Sequence, residues 1–129
     1  RRVIMCSSRT TSKKESLRNL SGVESSRKLE NNTYEVTYKD GCRAIRLHRT
    51  DIVTFRPDGK FAINSGGWNT RITKSRINKY CNTIRIWAKQ GKWYVSRLLH
   101  TGEYMYSDYP VDYHDHMMFY SDGAFDEHS

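Results

Sequence analysis

The chain has 129 residues, a hydrophobic fraction of 36%, a charged fraction of 28% and a formal net charge of +8. Its length is typical of a single domain with one modest core, and no apolar run approaches the roughly 18 residues of a membrane span. The three cysteines are an odd number without CxxC spacing, which argues against a disulfide framework and predicts a cytoplasmic protein.

The N-terminal part of the chain is basic and polar. Arg1-Arg2-Val3-Ile4-Met5 can be back-translated into a purine-rich ribosome-binding site, a spacer and a start codon, so we expect translation to begin at Met5 and residues 1–4 not to be translated. Residues 1–32 are rich in Ser, Lys and Arg and poor in large apolar residues. This composition predicts a flexible basic N-terminal arm.

Residues 33–99 repeat one pattern three times. Two short runs of alternating apolar residues flank a turn that contains Asp40-Gly41, Asp58-Gly59 or Gln90-Gly91. Glycine supplies the positive φ that tight hairpins require, and alternation indicates strands with one buried and one wet face. The pattern predicts an antiparallel α+β core with a small sheet of about six strands, arranged as three hairpins.

One short helix is predicted between the second and third hairpins. It follows the junction Ser65-Gly66-Gly67-Trp68, and Thr73 is a suitable N-cap for a helix that runs to about Cys81. Helical spacing gives this segment a core side and an exposed side. The core side holds Thr73, Ile77, Tyr80 and Cys81, and the exposed remainder holds Arg71, Lys74, Arg76 and Lys79.

Residues 100–129 differ in charge from the rest of the chain. They hold seven of the 14 acidic residues and no Lys or Arg, whereas residues 1–99 hold all 22 basic residues. The segregation suggests an anionic partner for the body and a solvating or covering role for the tail, although scattered basic residues on wet strand faces would give the same count. The many aromatic residues predict an irregular acidic extension that packs back on the sheet. If the tail only screens a basic face, truncation after residue 99 should strengthen binding.

Several sequence blocks resemble an uncharacterised family of small proteins from tailed bacteriophages and marine viral genomes. The blocks are "NNTY", "AIRLHRTDIVTFRPDGKFAINSGGW", "TKSRIN" and "WYVS", and "FYSDG" could match a further element. The resemblance covers about half of the chain, from Asn31 to Ser96. The acidic, histidine-bearing tail departs from it. The resemblance implies an origin and domain limits, and it implies no chemistry.

The Gly-Gly-Trp junction is the first candidate site. Glycines let a backbone approach a ligand closely, amides at a helix N-terminus attract anions, and Trp68 could stack on a base. The alternative, favoured for Trp68, is that this residue fills the core under the helix. The Gly-Lys-Thr ending of a P-loop is absent. The predicted nucleic-acid-binding residues are Trp68, Arg71, Lys74, Arg76 and Lys79.

Two further groups of residues could carry chemistry. His48 and Asp51 could serve acid–base chemistry, but this segment is more typical of a side-chain-to-backbone turn. On a strand, His114, His116 and Asp112 would share a face and could bind a transition metal. A polar tail explains these three residues as well. We therefore expect no catalytic residues, no metal and no cofactor.

The sequence thus predicts a phage-encoded accessory protein of the host cell cytoplasm. It would bind nucleic acid, DNA or RNA, through a basic face around the Gly-Gly-Trp junction and the following helix. One alternative is a host-takeover or defence-evasion module that binds a host protein. The other is a small nuclease-like enzyme that uses the histidines, although the absence of a recognisable catalytic constellation makes an enzyme the weaker expectation. No membrane partner is predicted.

Overall fold

The computed structural model describes residues 22–98 and 110–126. Within these residues the chain forms two antiparallel sheets and one helix, and the strand orders are β1-β2-β3-β4-β5-β9 and β6-β7-β8. The larger sheet comprises β1 (Val23–Glu30), β2 (Thr33–Tyr38), β3 (Arg43–Leu47), β4 (Thr50–Phe55), β5 (Phe61–Ile63) and β9 (Met117–Phe119). The smaller sheet comprises β6 (Ile84–Lys89), β7 (Lys92–Arg97) and β8 (Val111–Asp112), and the helix is α1 (Arg71–Tyr80).

The α+β class is confirmed, with one helix between two β-rich parts. The antiparallel pairs β2–β3, β4–β5 and β6–β7 form where the three hairpins were predicted. Gly41, Gly59 and Gly91 have φ values of 93°, 93° and 81°, as tight turns require. The prediction of a single sheet of about six strands is wrong, because the described residues form one sheet of six strands and one of three.

Strand β1 lies within the segment that was predicted to be a flexible arm. Residues 23–30 pair along β2, and Arg27 lies opposite Glu35 with a 2.6 Å ion pair. Most of the β1 side chains are exposed, so this edge strand carries no apolar alternation that could reveal it. Residues 1–21, which include the proposed start at Met5, lie outside the described residues.

Both sheets and the helix contribute to one hydrophobic core. Strand β9 adds Met117 and Phe119 to it, and the Phe119 ring stacks on Phe61 with 5.4 Å between centroids. The other buried members are Ile45, Leu47, Ile52, Val53, Ile63, Ile77, Cys81, Ile84, Ile86, Trp93 and Val95. The C-terminal segment is therefore part of the fold.

Acidic residues of the C-terminal segment pair with cations of the body. Lys60 lies 3.0 Å from Asp126, Lys92 lies 3.1 Å from Asp112, and Arg97 lies 2.9 Å from Asp122. Part of the segregated charge is thus neutralised inside the molecule. A tail that only covers a basic face does not agree with these contacts or with the buried side chains of β9.

Cys42 and Cys81 lie in different hydrophobic clusters. Cys81 is a buried free thiol, and burial raises its pKa. Cys42 is fully buried in a second small apolar cluster, with Val36, Tyr38 and Ala44. In the described ranges, no helix is both long and apolar enough to cross a membrane.

Candidate nucleic-acid interface

The helix begins three residues earlier than predicted. Its N-cap is Thr70, whose Oγ1 accepts a hydrogen bond from the Thr73 backbone N–H at 3.2 Å. The Thr73 side chain is buried, and its hydroxyl lies 3.0 Å from that of Thr70, so Thr73 is an inward-facing residue of the first turn. Consequently Arg71 lies at the helix start, and all four predicted basic residues belong to α1.

The junction before the helix is a tight turn that approaches another strand closely. The Trp68 N–H donates to the Ser65 carbonyl at 3.0 Å, while Gly66 and Gly67 have φ values of 64° and 86°. A Cβ atom on Gly66 would come within 2.7 Å of the Thr50 side chain. Glycine is therefore needed here both for its backbone conformation and for its lack of a side chain.

Ser65 fixes the junction to the C-terminal segment. Its N–H donates to the Tyr113 hydroxyl at 2.7 Å, and its Oγ donates to Asp115 Oδ1 at 2.8 Å. The Tyr113 hydroxyl donates to the same carboxylate oxygen at 2.6 Å. Burial is the main reason that the pKa of Tyr113 is raised, and the hydrogen bond to Asp115 raises it further. Burial alone would raise the pKa of Asp115, but the hydrogen bonds from Tyr113 and Ser65 outweigh it and lower that pKa.

A cleft of about 360 Å³ lies between the exposed side of α1 and strand β6. We call it the basic cleft, because four of its six lining residues are cationic. Its lining residues are Arg71, Lys74, Ser75, Asn78, Lys79 and Arg85. The cleft thus combines three of the predicted nucleic-acid-binding residues with Arg85, which was not predicted.

Asn78 explains how Arg85 reaches the helix. The Asn78 side chain accepts a hydrogen bond from the Ile86 N–H at 2.7 Å and donates one to the Ile86 carbonyl at 2.9 Å. This pair of bonds holds α1 along β6, which is an edge strand of the smaller sheet. Side chains alternate along a strand, so the buried Ile86 leaves Arg85 on the outer face beside the helix. In the sequence, Arg85 is one of several polar residues on a wet strand face.

Arg76 does not line the basic cleft. Its Nε donates to Thr33 Oγ1 at 3.0 Å, and its guanidinium lies 3.5 Å from Glu30, which ties α1 to the β1–β2 hairpin. Lys79 also pairs with Glu30, at 2.9 Å, from the edge of the cleft. Hydrogen bonds from Tyr80 and Lys79 are the main reason that the pKa of Glu30 is lowered. Arg76 is therefore used within the fold.

Trp68 lies at the surface, so the prediction that it fills the core is wrong. Its side chain is 48% exposed, and Ile72 in the first turn of α1 is 55% exposed. Both line a second cavity of about 490 Å³, which we call the apolar pocket. The remaining lining residues are Leu47, His48, Arg49, Thr50, Ile52, Ser65, Thr70 and Thr73. Thr73 and Ile77 fill the core side of the helix, and Trp68 lies outside it.

His48 and Asp51 do not form an acid–base pair. His48 is in the β3–β4 turn with a φ of 57°, whereas Asp51 is 1% exposed. The Asp51 carboxylate accepts hydrogen bonds from Arg46 Nε at 2.6 Å and from the Tyr38 hydroxyl. A buried charge needs such partners, so the Asp51 side chain has a structural role.

The histidines of the C-terminal segment do not share a strand face, contrary to the expected geometry. His116 is in a turn with a φ of 70°, and the His114 ring packs near Phe125 with 6.4 Å between centroids. Asp112 pairs with Lys92. In residues 22–98 and 110–126, no group of three His, Cys, Asp or Glu side chains is arranged to hold a metal ion.

Comparison with known proteins places the chain in a phage family. The family model described as Kyanoviridae Gp96 protein matches residues 11–120, a range that includes every described strand, the helix and both cavities. No curated protein and no solved structure matches the chain. The family match agrees with the bacteriophage origin that the sequence blocks suggested. The chain therefore belongs to the Kyanoviridae Gp96 family of bacteriophage proteins.

Proposed function

We propose that this protein binds nucleic acid through the basic cleft. The observation that carries the proposal is the convergence of four cationic side chains, from a helix and a neighbouring strand, on one concave surface. Phosphate backbones are recognised by Lys and Arg side chains in this way, and such contacts supply most of the sequence-independent affinity.

The fold compensates the four cations of the cleft to different degrees, and Lys79 pairs with Glu30. Within the described ranges, neither Arg71 nor Lys74 forms an ion pair, although many other cations of the body do so. The first turn of α1 contains no acidic residue. The positive end of the helix dipole therefore adds to the charge of Arg71 and Lys74. This combination favours an anionic ligand.

The groups in the cleft suggest contact with the backbone of the ligand. Ser75 offers an exposed hydroxyl between the basic side chains, whereas the Asn78 amide is already bonded to Ile86. Lys and Arg side chains that meet phosphates position a ligand and do not read its sequence. We therefore expect the cleft to bind oligonucleotides of different sequence with similar affinity.

The test is oligonucleotide binding at increasing salt concentration, measured by fluorescence anisotropy. Lys74→Ala should weaken binding and flatten the salt dependence, because each phosphate contact releases condensed counterions. Lys39→Ala is the matched control: it removes the same charge from an exposed position in the β2–β3 turn. That turn is at the far end of β2 from Thr33, where Arg76 contacts the sheet.

Two results would contradict the proposal. One is equal weakening by the Lys74 and Lys39 substitutions, which would indicate a general effect of net charge. The other is wild-type protein without salt-sensitive binding to any DNA or RNA. The second result would favour the alternative of a host protein as the partner.

A further inference from the structure

Phosphate binding in the basic cleft leaves the apolar pocket unexplained. We infer that this pocket receives one unpaired base, so that the ligand of the protein is single-stranded nucleic acid. The inference rests on the proposed function, because the basic cleft is required to hold the backbone on either side of that base. It adds the strandedness of the ligand, which the cleft alone does not define.

The pocket has the size and the chemistry that a base requires. Its volume of about 490 Å³ exceeds that of a single base, and Leu47 and Ile52 are buried residues of its lining. Trp68 and Ile72 are exposed apolar side chains at its rim. Bases stack on aromatic side chains with little dependence on sequence. A base in a duplex is already paired and stacked, and it could enter only at the cost of unpairing.

Cationic side chains lie on two sides of the pocket. Arg49 lines it from the β3–β4 turn, while Arg71, the chain neighbour of Ile72, lines the basic cleft. Across the described ranges, neither of the two arginines forms an ion pair. A strand with one base in the pocket would therefore meet a cation at a phosphate on each side.

The composition of the pocket favours a nucleic acid over a protein side chain. None of the residues that line it is acidic, and His48 and Arg49 give it basic character. Thr50, Ser65 and Thr70 add hydroxyl-bearing residues to its lining. An apolar protein side chain would need neither the flanking cations nor these hydroxyls.

The pocket is held in place before any ligand binds. The Gly66 turn packs against Thr50, and Ser65 is bonded to Asp115 and Tyr113. These contacts fix the positions of the strand turn and the helix start relative to each other. A preformed site loses less conformational entropy on binding, which increases affinity.

The test compares three fluorescently labelled probes with the full-length chain. The first is a single-stranded DNA oligonucleotide, the second is its duplex, and the third is the same single strand with abasic sites, which keeps the phosphates and removes bases. Wild-type protein should prefer the intact single strand over both other probes by about fivefold or more, the lower limit for one base–aromatic stack. Trp68→Ala should weaken single-strand binding by about five- to 150-fold, the range for one base–aromatic stack, and leave duplex binding unchanged.

Ile72→Ala is a second variant, which removes an exposed rim residue and keeps Trp68. It should reduce single-strand binding in the same direction even if Trp68→Ala proves unstable. Tyr34→Ala is the control, because Tyr34 is also exposed and lies outside both cavities.

The possible outcomes distinguish the base pocket from the basic cleft. Equal, salt-sensitive affinity for single strand, duplex and abasic probe would overturn the base pocket and leave the basic cleft intact. Equal effects of the Ile72 and Tyr34 substitutions on single-strand binding would also overturn the base pocket. The absence of salt-sensitive binding to every probe would overturn both proposals.

Discussion

Gly66 lies so close to Thr50 that a Cβ atom on Gly66 would be 2.7 Å from the Thr50 side chain. This contact joins two segments that are distant in the sequence, the Ser-Gly-Gly-Trp junction and the start of strand β4. Gly67 also has a positive φ, but a Cβ atom there would meet nothing within 4 Å. Substitution of Gly67 therefore tests the backbone conformation alone, whereas substitution of Gly66 tests the backbone conformation together with the close contact to Thr50.

We expect Gly67→Ala to lower the free energy of unfolding by about 1–2 kcal/mol, the cost of a left-handed conformation for a residue with a Cβ. Gly66→Ala should cost a further 1–3 kcal/mol or so, because the β-branched Thr50 side chain is buried and cannot move away freely. Urea unfolding of the two variants measures the difference. Equal losses would show that the Gly66–Thr50 contact is unimportant.

Trp68 and Trp93 should respond differently to truncation. Trp93 is 8% exposed and belongs to the core, so Trp93→Ala should lower the free energy of unfolding by about 3–5 kcal/mol. Trp68 is 48% exposed, and Trp68→Ala should cost only about 1–2 kcal/mol. Thermal and urea unfolding provide the comparison. A loss of about 3–5 kcal/mol for Trp68→Ala would mean that the Trp68 side chain is buried in solution.

The Ser65–Asp115 contact predicts a loss of stability in acid. The pKa of Asp115 is lowered in the folded protein, so the carboxylate stabilises the fold above its unfolded pKa of about 3.9. This contribution should be lost as the pH falls below about 4 and through the folded pKa. Asp115→Asn should cost about 1–2 kcal/mol at pH 7 and make the acid limb of the stability curve shallower.

Asp112→Asn is the control for Asp115→Asn. Asp112 pairs with Lys92 at the surface, where ion pairs contribute little, so its replacement should change the free energy of unfolding by less than about 1 kcal/mol. Urea unfolding at several pH values measures both variants. An acid limb of the same steepness in wild-type protein and in Asp115→Asn would contradict the assignment.

Removal of the C-terminal segment should abolish the fold. Truncation after residue 99 deletes β8 and β9, together with the buried side chains of Met117 and Phe119. It also leaves Lys60 without Asp126. Circular dichroism should show loss of the cooperative thermal transition. A truncated protein that folds and binds nucleic acid more tightly would restore the interpretation of the tail as a simple screen.

The sequence predicted best those features that depend on neighbours in the chain. Period-2 alternation and turn glycines located the hairpins, and apolar spacing located α1 to within three residues of its start. The exposed edge strand β1 was missed because its side chains lack alternation. The aromatic residues correctly predicted that the tail packs back on the sheet, but strand β9 was missed because its pairing partner, β5, lies more than fifty residues earlier.

The part of the candidate site that was predicted from the sequence also consists of residues that are neighbours in the chain. Arg71, Lys74 and Lys79 are close in the sequence and meet in one cleft. Arg85 lies in the same cleft because the Asn78–Ile86 hydrogen bonds hold the helix along β6. Arg76 lies outside the cleft because its side chain contacts Glu30 and Thr33. Nothing in the local pattern of charges distinguishes the two arginines. Their roles depend on contacts between elements.

The salt dependence of binding tests the central claim most directly. If the four cations of the basic cleft contact phosphates of a single strand, log K against log salt should have a slope of about −3, at roughly 0.7 per phosphate. Arg85→Ala should then reduce the magnitude of that slope by about 0.7. A wild-type slope near zero, or a slope that Arg85→Ala does not alter, would contradict the account.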